Sequence, residues 1–150
     1  MRLLIVEDNA FLAEITAELL HSLDSCGNVF EVITIVFDLR TAILNISEHD
    51  AVLCDGDFPF ALGSGSAAEN WHLVYEEAQL RGIHFVLYSG SPYALDRARA
   101  NHTPAISKPA PVEDIFAALM KKTNPLAIRC QQDPVLAIEN RKIVGEGRVA

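Results

Sequence analysis

Apolar and polar residues alternate along the chain in five blocks, each a short apolar run followed by a stretch with helical spacing. The apolar runs predict buried strands over residues 3–6, 29–37, 51–54, 83–88 and 105–107. The spacing between them predicts helices over 9–23, 38–46, 69–81, 92–100 and 111–122. In the first helix, the side chains expected to face inward are Phe11, Leu12, Ile15, Leu19 and Leu20. Strands that alternate with helices predict an α/β fold with a five-stranded, doubly wound parallel sheet.

The longest predicted loop follows the third strand. Residues 56–67 are rich in Gly and Ser, which favours a flexible surface segment. Such a loop could cover a site or bind a partner, although a tolerated surface insertion is the simpler interpretation.

Polar side chains stand directly after four of the predicted strands. Glu7 and Asp8 follow the first strand, Asp55 the third, Ser89 the fourth and Lys108 the fifth. In doubly wound sheets, binding sites form just beyond the carboxyl ends of the strands. The sequence therefore predicts that these side chains converge on one site.

Three carboxylates that converge would repel one another unless a cation lay between them. Mg²⁺ prefers a few carboxylate and carbonyl oxygens together with water. A metal, the Lys108 ammonium and the Ser89 hydroxyl around Asp55 would suit phosphoryl transfer to that carboxylate. Taken singly, each residue has an ordinary interpretation as a turn, a helix cap or a strand end, and it is their joint order that favours a site.

Composition narrows the class of protein. The chain has 150 residues, half of them hydrophobic and 21% charged, as expected of one globular domain. The net charge of the chain is −8, with −9 in residues 1–123 and +1 in residues 124–150, and this acidic body disfavours direct binding to nucleic acid. No apolar stretch is long enough for a membrane span or a signal peptide. Three widely separated cysteines match neither a disulfide framework nor a zinc site, which favours a reducing cytoplasm.

Four short stretches resemble the receiver domain of response regulators in two-component signalling. They are LLIVEDN (3–9), DAVLCD (50–55) with Pro59 four residues later, VLYSG (86–90) and SKP (107–109). Their spacing matches over about residues 1–123. The resemblance implies a chemotaxis-regulator-like, flavodoxin-like fold with strand order 2-1-3-4-5.

The resemblance also implies roles for individual residues. Asp55 would accept the phosphoryl group, and Asp8 and Asp55 would hold Mg²⁺ directly. Glu7 would act on the metal through water, and the backbone carbonyl of Asp57 would be a further ligand. The remaining positions imply that Ser89 and Lys108 contact the new phosphoryl group and that the Lys108–Pro109 peptide bond is cis.

A receiver of this kind would be phosphorylated by a sensor histidine kinase or a phosphotransfer protein within a phosphorelay, and would signal through a changed surface. It would assist its own phosphorylation and dephosphorylation without being an enzyme in the usual sense. Residues 124–150 form a C-terminal extension too short for a DNA-binding effector domain, so a stand-alone receiver is expected. That extension has no assigned role, and it could pack on its own body or on a second copy in a homodimer.

Two positions depart from the family pattern. Ala105 stands where receivers usually carry an aromatic residue that reports phosphorylation, and Tyr88, Tyr93 or His102 could take over that role. Asp57 adds an acidic side chain two residues after the acceptor, where it could tune phosphoryl lifetime or strengthen cation binding.

Two other functions stay open at this stage. A haloacid dehalogenase-type phosphatase would share the order Asp55–Asp57, Ser89 and Lys108, but it needs an acidic motif after the lysine, where only Glu113 and Asp114 stand in a helix. The other function is a receiver-like binding module that works without phosphorylation. Ala105 favours it, whereas the five intact chemical positions disfavour it.

Overall fold

Strands and helices alternate along the chain in a computed structural model, which describes residues 1–25 and 27–121. The strands are β1 (Arg2–Val6), β2 (Val32–Val36), β3 (Ala51–Cys54), β4 (Asp57–Phe58), β5 (Ala68–Glu69), β6 (His84–Ser89) and β7 (Ala105–Ser107). The helices are α1 (Ala10–Leu23), α2 (Leu39–Asn45), α3 (Trp71–Arg81), α4 (Pro92–Ala100) and α5 (Val112–Met120). A single 3₁₀ turn, Ile46–Glu48, continues α2. The predictions for residues 124–150 lie outside the described residues.

Five parallel strands form the main sheet in the order β2-β1-β3-β6-β7. Because β4 and β5 pair only with each other, this is the predicted order 2-1-3-4-5 of the five main strands, and the predicted fold class is confirmed. Val6, Cys54 and Leu87 are neighbours in register across the three central strands. The residues after them therefore emerge at the same level of one sheet edge.

Helices cover both faces of the sheet, so alternate strand residues enter two separate cores. Leu4 and Val6 pack beneath α2, α3 and α4, whereas Leu3 and Ile5 pack beneath α1 and α5. These four side chains are almost completely buried. Burial of one such side chain stabilises the fold by about 1.5–3 kcal/mol, which explains why the strands are near-continuous apolar runs.

The predicted inward face of α1 is wrong. Of its five residues only Leu20 is buried, and the exposed fractions of Phe11, Leu12, Ile15 and Leu19 are 68, 44, 37 and 46%. The helix instead contacts the sheet side through Leu20 and two alanines, Ala13 and Ala17. Small side chains four residues apart let the helix approach closely, and that contact turns the larger apolar residues outward.

The second strand is shorter than predicted, and Asp24 binds the backbone that precedes it. The Asp24 carboxylate accepts hydrogen bonds from the backbone N–H groups of Asn28, Val29 and Phe30, at 3.1, 2.9 and 3.0 Å. The Val29 carbonyl accepts the Met1 ammonium at 2.8 Å, and the Glu31 N–H donates to the Met1 carbonyl at 3.0 Å, so this segment also contacts the start of the chain. Regular pairing with β1 starts at Val32. The three hydrogen bonds to the Asp24 carboxylate lower the pKa of Asp24, since they favour its charged form.

The predicted loop after β3 contains a short hairpin. Asp57 pairs with Glu69 and Phe58 with Ala68, so Glu69 belongs to β5 and not to the third helix as predicted. The backbone N–H groups of Leu39 and Arg40 donate to the carbonyls of Pro59 and Phe60, both at 3.0 Å. Residues 59 and 60, within the predicted loop, are therefore hydrogen-bonded to the N-terminus of α2.

The remaining boundaries are close to the prediction. Gly82, at φ 67°, ends α3 in the left-handed conformation as expected. The last helix ends at Met120, two residues short of the predicted end.

Within residues 1–25 and 27–121, no helix combines the length and apolar character that crossing a bilayer requires.

Candidate functional site

Three carboxylates meet at the carboxyl ends of β1 and β3. Backbone hydrogen bonds fix their positions, because the N–H groups of Glu7 and Asp55 donate to the carbonyls of Val36 and Val6, at 3.1 and 2.8 Å. One carboxylate oxygen from each of Glu7, Asp8 and Asp55 lies within 4.8 Å of the other two. Glu7 is 7% exposed, whereas Asp8 is open to solvent.

Lys108 provides the positive charge beside these carboxylates. Its Nζ lies 2.5 Å from Glu7 Oε2 and 3.0 Å from Asp55 Oδ1. Its backbone N–H donates to the Ser89 carbonyl at 2.9 Å, and the Lys108–Pro109 peptide bond is cis as predicted. A further contact, which the sequence analysis did not predict, places Nζ 5.1 Å from the centre of the Tyr88 ring.

Burial and charge shift the pKa values of two of these groups upward. Desolvation raises the pKa of Glu7, and the charge of Asp55 adds to this, while the hydrogen bond from Lys108 opposes it. Burial alone would lower the pKa of Lys108, but the hydrogen bond to Glu7 and the charge of Asp55 outweigh that effect and raise it. Lys108 is therefore a permanent cation at neutral pH.

One ammonium cannot balance three carboxylates, so the site retains excess negative charge. Hard oxygen donors in this number and spacing fit a divalent cation that keeps several waters. Among the described residues, Glu7, Asp8 and Asp55 are the one group of three or more His, Cys, Asp or Glu side chains close enough to share an ion. The chemistry of the donor set therefore suits Mg²⁺.

The two oxygens of Asp55 have different surroundings. Oδ1 accepts the backbone N–H of Gly56 at 2.7 Å as well as the contact with Lys108. Oδ2 accepts no hydrogen bond from any residue that the structure describes. One oxygen is thus anchored while the other is available to a ligand or an electrophile.

Comparison with known proteins identifies the fold. The chain is similar to the response regulatory domain of mrkE from Klebsiella pneumoniae, with a TM-score of 0.62, 18% identity, and coverage of 86% of this chain and 98% of that one. It is also similar to the response regulator domain of CheB from Thermotoga maritima, with a TM-score of 0.54, 16% identity, and coverage of 86 and 93%. The chain has a receiver-domain fold.

A third structure of the same fold has the highest identity of these three. SdrG from Pseudomonas melonis Fr1, solved in a BeF₃-activated conformation, is 26% identical with a TM-score of 0.59, and covers 79% of this chain and 95% of that one. No protein-family model matches the sequence, and no curated protein matches it significantly. The similarity to these three solved structures confirms the family resemblance that four short stretches predicted.

Within this receiver fold, Ser89 lies against the backbone of Gly56. Ser89 is 2% exposed, and its Oγ accepts the backbone N–H of Ser91 at 3.1 Å. A Cβ added to Gly56 would lie 2.5 Å from Ser89 Oγ, 3.2 Å from Ser89 Cβ and 3.5 Å from Ala94 Cβ. The residue after Asp55 must be this small, because the chain there passes directly over Ser89 and the first turn of α4.

Gly56→Ala is expected to lower the free energy of unfolding by about 1–3 kcal/mol, the usual cost of overpacking. Rotating Ser89 Oγ away would break its bond with Ser91 and would not relieve the contact with Ser89 Cβ. Urea denaturation measures the effect. Gly90→Ala is the control, since its Cβ would meet only Lys108 Cβ at 3.9 Å and should change stability by less than about 0.5 kcal/mol. Equal effects at both glycines would contradict this explanation.

Asp57 lies beside the three carboxylates, on the first strand of the hairpin, with its side chain exposed. Partial desolvation and the negative charges of Asp55 and Glu69 raise its pKa. Its side chain is not one of the converging group. A role for its backbone carbonyl as a metal ligand stays a prediction.

Ala105 and the three suggested aromatic substitutes lie in different surroundings. Ala105 neighbours Leu87 and packs in the core beneath α2, α3 and α4, whereas Tyr88 packs on the opposite side of the sheet. Tyr93 is 67% exposed on α4, and His102 lies in a turn at φ 54°. Position 105 therefore contributes only a methyl group to this core, and an aromatic role for Tyr88, Tyr93 or His102 stays a prediction.

Proposed function

We propose that this chain accepts a phosphoryl group on Asp55 from a histidine kinase or phosphotransfer protein, in a Mg²⁺-dependent reaction, and signals through a changed interaction surface. The observation that carries the proposal is the joint geometry of the site. Three carboxylate oxygens lie within 4.8 Å of one another, and the Lys108 ammonium is 3.0 Å from Asp55 Oδ1. Phosphoryl transfer depends chiefly on such positioning and charge stabilisation.

The residues would divide the chemistry as follows. Asp55 Oδ2 attacks phosphorus, so that a new O–P bond forms while the bond between phosphorus and the donor's leaving atom breaks. Lys108 then pairs with a phosphoryl oxygen. The Ser89 hydroxyl can donate a hydrogen bond to the same phosphoryl group. Glu7, Asp8, Asp55 and the backbone carbonyl of Asp57 would hold Mg²⁺. When bound, the cation supplies positive charge that offsets the carboxylates and the phosphoryl oxygens.

The exposed side of α1 supports a protein donor. Phe11, Leu12, Ile15 and Leu19 form an apolar stripe on the helix that begins two residues after Asp8. Clustered exposed apolar side chains usually mark a contact with another protein. We place the phosphoryl donor on this stripe, where it would lie next to the acceptor.

Other parts of the proposal rest on the receiver-domain neighbours. The chain would act as a signalling regulator that assists only its own phosphorylation and dephosphorylation. A cytoplasmic location is supported by Cys54, a free and buried thiol. A receiver boundary near residue 123 and a possible homodimer are also part of this proposal.

The test is incubation with acetyl phosphate and Mg²⁺, followed by intact mass and peptide mapping. We expect one phosphoryl group on the protein, located at Asp55 and absent when the metal is chelated. No adduct would reject phosphorylation and favour a receiver-like binding module. Steady hydrolysis of p-nitrophenyl phosphate would instead favour a phosphatase, which the site disfavours because Glu113 and Asp114 are not among its converging carboxylates.

A further inference from the structure

Glu69 joins three elements at the edge of the candidate site. It lies on β5, and its Oε1 accepts hydrogen bonds from Trp71 Nε1 at 2.9 Å and from Arg97 Nη1 at 3.0 Å. Trp71 begins α3 and is completely buried, and Arg97 comes from α4. The Arg97 guanidinium also lies 5.9 Å from the centre of the Trp71 ring. One carboxylate oxygen therefore ties the hairpin to two helices.

The hairpin carries this constraint to Asp57. Glu69 is the direct register partner of Asp57, so the position of one backbone fixes that of the other. The next pair is held as well, because Asn70 Nδ2 donates to the Phe58 carbonyl at 2.7 Å and Phe58 is completely buried. Asp57 follows Asp55 by two residues, so the hairpin sets how the backbone passes beside the three carboxylates.

The negative charge of Glu69 destabilises the hairpin in which it lies. Like charges directly opposite each other destabilise a strand pair, and Asp57 and Glu69 stand in that relation. A glutamine could accept the same hydrogen bonds without that repulsion. The arrangement is held by Arg97 and Trp71, which engage Glu69 from the helix side.

We propose that Glu69 and Arg97 are positioning residues for cation binding: by fixing β5 against α3 and α4, they set the position of the Asp57 backbone beside Glu7, Asp8 and Asp55. This inference rests on the proposed Mg²⁺ site. Outer contacts that orient metal ligands commonly change metal affinity by about 10–100-fold when lost. Because this effect passes through one hairpin, we expect the lower end of that range.

The experiment is an NMR titration of the full chain with MgCl₂. The single tryptophan gives one indole N–H signal, which reports on the Glu69 contact, while the amides of Gly56 and Asp57 report on the site. The variants are Glu69→Ala, Glu69→Gln and Arg97→Gln. The matched control is Glu77→Ala, because Glu77 on α3 pairs with Arg81 at 2.6 Å and its side chain is 24% exposed, the same as that of Glu69.

Positioning and simple electrostatics predict opposite results for Arg97→Gln and different results for Glu69→Gln. If Glu69 and Arg97 position the site, Arg97→Gln and Glu69→Ala each raise the Mg²⁺ dissociation constant about tenfold. Glu69→Gln stays near wild type, since the amide oxygen can still bond Trp71 and Arg97. If only charge matters, Arg97→Gln binds Mg²⁺ more tightly, and both Glu69 variants bind it more weakly to a similar degree.

The outcomes separate this inference from the proposed function. Wild-type protein that shows no Mg²⁺-dependent shifts at Gly56 or Asp57 would reject the metal site itself. Wild-type binding together with an unchanged or lower dissociation constant in Arg97→Gln would overturn only the positioning role. A loss of affinity in Glu77→Ala equal to that in Glu69→Ala would also overturn it. The melting temperature of each variant shows whether it folds. If Glu69→Ala or Arg97→Gln does not fold, the Mg²⁺ dissociation constant of Glu69→Gln decides: a value near wild type supports positioning, and a raised value overturns it.

Discussion

Asp55→Asn is expected to abolish phosphorylation by acetyl phosphate while the receiver fold remains intact. An amide oxygen is a poor nucleophile, so no O–P bond forms at this position. The asparagine oxygen can still accept the Gly56 N–H that Asp55 Oδ1 accepts at 2.7 Å, so the turn after β3 is preserved. The measurement is intact mass after incubation with acetyl phosphate and Mg²⁺, with circular dichroism to verify the fold.

Asp50→Asn provides the matched control for this substitution. Asp50 directly precedes β3, at the opposite end of the strand, where its carboxylate accepts the Arg2 N–H at 2.7 Å. Both variants remove one negative charge from a residue next to the same strand, but only Asp55 lies in the carboxylate group. Asp50→Asn should therefore retain the adduct. A phosphoryl group on Asp55→Asn, or its loss from both variants, would contradict Asp55 as the acceptor.

The sheet and the meeting of the site residues were predictable because both depend on local features. Each strand is an apolar run, and the polar residues stand directly after these runs. Parallel pairing in register then brings Glu7 and Asp55 side by side without further information. The strand order came from the family resemblance, because periodicity alone does not decide which strands are neighbours.

The features that sequence reasoning missed depend on contacts between distant residues. Periodicity showed that α1 has an apolar side, but the close approach of Ala13 and Ala17 decides which side meets the sheet. The β4–β5 hairpin pairs only two residues on each strand across a Gly-rich turn, which leaves no alternating pattern to detect. The bond between Glu69 and Arg97 joins residues 28 positions apart, so no local spacing could indicate it.

Lys108→Ala is expected to slow phosphorylation of Asp55 by about 100-fold, the usual cost of removing one group that stabilises developing charge. The same substitution should strengthen Mg²⁺ binding. The Lys108 ammonium occupies the carboxylate oxygens of Glu7 and Asp55 at 2.5 and 3.0 Å, where it competes with an added cation. Single-turnover phosphorylation and a MgCl₂ titration measure the two effects. Lys108→Arg keeps the positive charge, so it should still compete with Mg²⁺ and bind the metal more weakly than Lys108→Ala does.

The pH dependence of stability gives an independent test of the same variant. The hydrogen bond from Lys108 lowers the pKa of Glu7, which burial already raises, so Lys108→Ala should raise that pKa further. A carboxyl group whose pKa is higher in the folded than in the unfolded protein favours the folded state as pH falls. In metal-free buffer, Lys108→Ala should therefore gain melting temperature relative to wild type between pH 7 and pH 5. A difference between the two proteins that stays constant over this range would show that Lys108 does not govern the charge of Glu7.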